Sequence, residues 1–182
     1  MNGTVVLFED HYVEDMRPIT LTRPAFGVTC AGYNLHEIVS LAADHVSWIV
    51  REHLRAVTRR AFAPSPAAEG PKLFVNASVV PDVQCVERIR QMLQEGEPFL
   101  ATHGQRVAAA LLPPGVEPAE DLGPANVTSY LLGQNLPLRE EPQLRTLDYP
   151  FHIIELLEEL FPANIDRRLA DGAFDEVCPG VF

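Results

Sequence analysis

Lysine is almost missing from this sequence: of its 14 basic residues only Lys72 is not an arginine. Any anion the chain handles must therefore meet guanidinium groups, whose planar fork of donors matches phosphate oxygens two at a time. Positive charge is scarce altogether, and 25 acidic residues bring the formal net charge to −11. That balance excludes general nucleic-acid binding, which needs a basic surface to neutralise phosphates. Cysteine is also sparse. Cys30, Cys85 and Cys178 are odd in number and far apart, without metal-ligand spacing, which points to a reducing cytoplasm rather than a disulfide scaffold. Long apolar runs are lacking: the longest uncharged stretch, 122–138, contains Pro, Asn, Gln and Gly and falls short of the roughly 20 apolar residues of a membrane helix. The N-terminus has no basic region and is no signal peptide. The six histidines show neither H-x-x-x-H nor H-E-x-x-H spacing, so zinc is not expected.

What is present suits one soluble domain over residues 1–182, with 47% hydrophobic and 21% charged residues. A chain of this length buries roughly 70% of its unfolded surface, enough for a core without staples. Charge is uneven. Residues 1–112 carry 10 basic and 12 acidic groups, whereas 113–182 carry 4 and 13. The partner of an anionic ligand is therefore to be sought in the first part.

Val5-Val6-Leu7-Phe8 reads as a buried strand with Glu9-Asp10 at its polar end, followed by a loop from His11 to Pro24. The helical spacing of Leu35, Ile38, Val39 and Ala42, with Asn34 as cap, predicts a helix. His45 to Val50 alternates as a second strand, and Arg51 to Arg60 reads as a basic helix or turn with Arg51, Arg55 and Arg59 on one helical face, solvated or in a domain contact, with an anion site as the alternative. Leu73 to Asn76 is a strand, Asp82 caps a helix carrying Val83, Val86, Ile89 and Leu93, and Gly96 stops it. Phe99–Thr102 and Val107–Leu112 flank a hairpin turn at His103-Gly104-Gln105-Arg106. Asp148 is expected to cap a helix from Tyr149 to Leu160, with a shorter helix from Asn164 to Ala170; the apolar ending Val177 to Phe182 reads as a chain cut at a domain junction, with a last strand of a complete domain as the alternative. Strands alternating with helices predict a three-layer α/β/α fold with a mostly parallel sheet, whose ligands bind outside the carboxyl ends of the strands. The loop after the first strand and the 76–81 loop lie there.

The segment Met16-Arg17-Pro18-Ile19-Thr20-Leu21-Thr22-Arg23-Pro24 resembles the N-terminal region of sugar nucleotidyltransferases, where a strand leads into a glycine-rich loop and a segment of the type L-R-P-L-T-x-x-x-P-K. Within that superfamily the chain is similar to the uridylyltransferase half of the bifunctional N-acetylglucosamine-1-phosphate enzyme. The likeness is carried by Phe8-Glu9-Asp10, by Arg17 to Pro24, by Gly32 ahead of a helix, by Val75-Asn76 through Pro81-Asp82, and by Tyr149 to Ile154. It implies a nucleotide-diphospho-sugar transferase-like, Rossmann-like fold, a nucleotide or sugar phosphate as ligand, and Mg²⁺ where the domain is active. It also implies that the chain is the N-terminal part of a longer protein, with a left-handed β-helix acyltransferase-like domain following, through which a homo-oligomer would form.

Three family features are missing. Val13-Glu14-Asp15 stands where Gly-Thr-Arg is usual, Ala25 where the signature lysine would be, and Ser78 where the metal-binding Asp belongs. No metal ligand is therefore assigned; Asp10 is a possible anchor or a turn former. By resemblance and by their chemistry, Arg17 and Arg23 are the candidate catalytic cations, with loop salt bridges to Asp10, Glu14 or Asp15 as the alternative. Thr20, Thr22 and Asn76 are the candidate substrate-binding residues. Two functions stay open: a nucleotidyltransferase joining a nucleoside triphosphate to a sugar 1-phosphate, or a non-catalytic pseudoenzyme or scaffold supporting the β-helix domain.

Overall fold

Every residue of Thr4–Phe8 (β1) is buried, because the strand is central and both of its faces are covered. The computed structural model describes residues 3–66, 70–113, 115–116 and 121–172. On one flank β1 pairs in parallel with His45–Ile49 (β2), and on the other with Lys72–Asn76 (β3). Phe99–His103 (β4) and Arg106–Leu111 (β5) form the expected hairpin, turned at Gly104-Gln105 with Gly104 at φ 58°. The sheet order is β2-β1-β3-β5-β4-β6, where the short strand Leu138–Glu140 (β6) runs parallel to β4. Only β5 is reversed, being antiparallel to both β3 and β4. The mostly parallel α/β sheet read from the sequence is thus the observed one. The reversal has a consequence for the site: it brings Arg106, the first residue of β5, to the edge where β1 and β3 end.

Strand alternation divides the core into layers. Val5, Leu7, Leu73 and Val75 face the helices Leu35–Ala42 (α1) and Gln84–Glu95 (α3). Val6, Phe8 and Phe74 face the opposite side, against Val127 and Leu131 of the helix Val127–Gly133 (α4). The α1 start is a full capping box: the Asn34 side chain accepts from the Glu37 amide, and the Glu37 carboxylate accepts from the Asn34 amide. Asp82 acts one position further out than a cap, accepting from the Gln84 amide at 2.9 Å.

Three expectations need correction. Arg51 does not share a solvated helical face with Arg55 and Arg59; it is buried, and the helix is Arg55–Ala61 (α2). Asp148 caps no helix, since its carboxylate is drawn to Arg106 and Thr146. The single helix expected from Tyr149 to Leu160 is instead a turn, a short helix His152–Glu155 (α5) and a long one, Leu157–Asp171 (α6), which runs through Pro162 and absorbs the separate Asn164–Ala170 helix. Tertiary bonding overrides the proline here. Asn164, fully buried, donates to the carbonyls of Ala31 and Pro81 and accepts from the Val83 amide. The ending Val177 to Phe182, read as a cut junction or a last strand, lies outside the described residues.

Candidate functional site

Two acids leave the end of β1, and each is met by its own arginine. Glu9 is wholly buried and bidentate with Arg51: Oε2 accepts from the Arg51 backbone amide at 2.9 Å and from Nε at 3.1 Å, and Oε1 accepts from Nη2 at 3.0 Å. Oε1 also takes the Ala25 amide at 3.0 Å. Arg51 Nη2 in turn donates to the carbonyls of Thr20 at 2.7 Å and Arg23 at 3.3 Å. This one ion pair therefore fixes the backbone of the loop at 20–25 against the ends of β1 and β2. A buried pair contributes mainly when its remaining donors and acceptors are satisfied, and here the loop backbone supplies most of them.

Asp10 is paired with Arg106, and both are buried. Oδ1 accepts from Arg106 Nη2 at 2.8 Å and from the Tyr12 amide at 3.1 Å; Oδ2 accepts from Arg106 Nη2 and Nε at 3.0 and 3.2 Å and from Asn76 Nδ2 at 2.8 Å. Arg106 also reaches Ser78 Oγ at 3.1 Å and, through Nη1, Asp148 Oδ1 at 2.8 Å. The Tyr12 ring lies over the guanidinium, 5.1 Å from it. Above this network opens a cavity of about 290 Å³, lined by Tyr12, Asp15, His103, Gln105, Asp148 and Tyr149 among others.

A second cleft, of about 470 Å³, lies along the loop that Arg51 secures. Thr22, Arg23 and Thr29 supply its polar lining, and Pro18, Ile19, Val28 and Ile153 its apolar walls. Arg23 is exposed, and its guanidinium makes no ion pair among the described residues. A cation, two hydroxyls and an apolar wall suit a phosphorylated ligand with a ring to pack.

The candidates from the sequence fall into three groups. Thr22 and Arg23 come together in the larger cleft. Arg17 is half exposed and pairs with Glu14 three residues earlier, the loop salt bridge weighed as its alternative role. Thr20 and Asn76 are closed to solvent: the Thr20 hydroxyl donates to the Val13 carbonyl at 3.2 Å, and Asn76 bridges Asp10 and the Val107 carbonyl beneath the smaller cavity. The loop that would carry glycines is a 3₁₀ turn, His11–Met16, whose first donor is capped by Asp10. Cys30 is also removed from chemistry. Burial pushes its thiol up, against a smaller downward pull from Arg145, and its Sγ faces the Ile153 carbonyl at 3.8 Å.

Arg106, Arg51 and Glu9 were not among the sequence candidates. A signal exists for them: Arg106 is a charge heading an otherwise apolar strand, Glu9 directly follows one, and Arg51 stands two residues past the end of β2. A charge that must enter a core requires a partner, and these were the ones available.

Mg²⁺ favours octahedral oxygen coordination with one or two carboxylates among its ligands. Asp10 already receives five donor contacts on its two oxygens, and Ser78 Oγ accepts from Arg106, so these groups do not fit a divalent ion. Among the described residues no three His, Cys, Asp or Glu side chains converge as a metal site would require.

The clefts lie on the side of the sheet, outside the carboxyl ends of parallel strands, where α/β domains commonly hold their ligands. The chain matches the family model described as sugar nucleotidyl transferase over residues 5–170, and it belongs to that family. Comparison with curated proteins finds no match. Among the described residues, no helix is long and apolar enough to cross a membrane.

Proposed function

We propose that this domain binds a nucleotide or sugar phosphate in the cleft lined by Thr22, Arg23 and Thr29. The observation that carries the reading is the exposed guanidinium of Arg23, without an ion pair among the described residues, on a backbone held rigid by the Glu9–Arg51 pair. In this role Arg23 meets phosphate oxygens, the threonine hydroxyls donate to them, and Ile19, Val28 and Ile153 pack a ring. The fixed loop lets the site bind without first paying to order its own backbone.

The test is calorimetric titration with UTP, UDP-N-acetylglucosamine and N-acetylglucosamine 1-phosphate, the ligands suggested by the resemblance of Arg17–Pro24. Arg23→Ala is expected to weaken binding about 10- to 100-fold, the effect of losing a hydrogen-bonded charge. Arg17→Ala, which removes a group already paired with Glu14, is expected to change it little. Binding by none of the three, or equal binding by wild type and Arg23→Ala, would discard the reading.

The engagement of Asp10, Asn76 and Ser78 with Arg106 favours a second reading, a non-catalytic domain that binds without transferring. Pyrophosphate release from UTP and N-acetylglucosamine 1-phosphate separates the two: sustained release supports transfer, and binding without release supports the pseudoenzyme.

A further inference from the structure

We infer that Arg106 is a built-in cation that takes the place of a divalent metal at the carboxyl ends of β1 and β3. Acids gathered there need a counter-charge. Asp10 is buried at the end of β1, and Asp148 reaches the same guanidinium from the opposite side. Arg106 supplies that charge permanently, through Nε and Nη2 to Asp10, through Nη2 to Ser78, and through Nη1 to Asp148 and the Leu147 carbonyl. Its side chain is 7% exposed, with the Tyr12 ring over it, so it is a fixed part of the site rather than a surface group.

The arrangement leaves a metal at Asp10 neither free acceptor sites nor electrostatic room. The five contacts on Asp10 use the acceptor capacity of a carboxylate, which is about four lone-pair sites. A dication brought to Asp10 would also stand next to a guanidinium, and like charges a few ångströms apart repel strongly away from bulk water. The topology accounts for the substitution. Reversal of β5 aims the head of that strand at the end of β1, and a long side chain there spans the gap between Asp10 and Asp148.

The inference is tested by metal binding alone, so it stands or falls separately from the Arg23 cleft. Mn²⁺, a paramagnetic probe of Mg²⁺ sites, is titrated into ¹⁵N-labelled wild type, Arg106→Gln, Arg106→Lys and the double variant Arg106→Gln with Asp10→Asn. In the wild type the amide signals of Tyr12 and Ser78 should stay sharp at millimolar Mn²⁺. Arg106→Gln releases both carboxylates from a positive charge and should bind Mn²⁺ at least about tenfold more tightly than wild type, broadening these two amides. Arg106→Lys keeps the charge and should not gain the site, and Asp10→Asn should abolish what Arg106→Gln creates. Selective broadening of Tyr12 and Ser78 in the wild type overturns the inference, as does a folded Arg106→Gln protein that binds no better than wild type. Should Arg106→Gln fail to fold, the wild-type titration and Arg106→Lys decide it: sharp signals in both support the built-in cation, and broadening in either overturns it.

Discussion

Glu9 and Glu14 lie five residues apart, each paired with an arginine, yet one pair is buried and the other half exposed. Glu9 is fully buried and holds Arg51 together with two backbone amides, so Glu9→Gln leaves a guanidinium without its counter-charge inside the protein. Breaking such a pair from one side costs about 3–5 kcal/mol. The Glu14–Arg17 pair is half exposed, where water screens the charges, and Glu14→Gln should stay within about 0.5 kcal/mol of wild type. Urea denaturation midpoints of the two variants check this contrast directly. Residue chemistry alone does not distinguish Arg17 from Arg23. Arg17 and Arg23 stand in the same motif, but one faces Glu14 and the other lines a cleft, a difference that depends on the path of the loop.

At the scale of elements, α1 was legible because its start is written locally. Asn34 and Glu37 satisfy each other's amides within one turn, and Asn34→Ala should cost about 1 kcal/mol. The α5–α6 region was not legible, since its boundaries depend on distant partners: Asp148 bonds Arg106, 42 residues away in sequence, and Asn164 bonds Ala31, Pro81 and Val83. Asn164→Leu would leave two carbonyls and an amide buried without partners, each such group costing about 1–3 kcal/mol. The expected result is early local opening of α6, seen as accelerated amide exchange in Leu157–Asp171 before the sheet exchanges. The tight turn Ala31-Gly32 is fixed by backbone geometry: both residues have positive φ, 49° and 91°, between the paired Cys30 and Tyr33.

For the whole molecule, His36 on the acid side and Cys85 on the alkaline side each contribute to the pH dependence of stability. His36 packs against Phe26 and Phe62, with ring centroids 6.1 and 5.0 Å away, and burial pushes its imidazole below the ordinary 6.5 despite an opposing pull from Glu37. The folded state thus resists protonation, so this contribution is complete above pH 6.5 and declines as pH falls below it. Cys85 behaves in the opposite sense. Burial, reinforced by the charge of Asp82, pushes its thiol from 9.0 up to about 12. Its contribution is complete below pH 9 and is lost as pH rises towards 12. Melting temperature measured against pH should therefore fall on both sides; His36→Leu should flatten the acid limb and Cys85→Ala the alkaline one. Cys85 should also resist alkylation in the native protein at neutral pH.

The sequence by itself determined the layered α/β architecture, the α1 helix, the β4–β5 hairpin, the location of clefts at the carboxyl strand ends and the reliance on arginine. These follow from local periodicity, capping and composition, which act over a few residues or over the chain as a sum. Only the tertiary structure decided which arginines serve the interior and which line an open cleft. Arg51 and Arg106 carry the same charge as Arg23, but β2 ends beside Glu9 and the reversed β5 begins beside Asp10. A buried charge must find its counter-charge wherever the fold places one, and that pairing spans 42 residues for Arg51 and 96 for Arg106, beyond the reach of any local pattern.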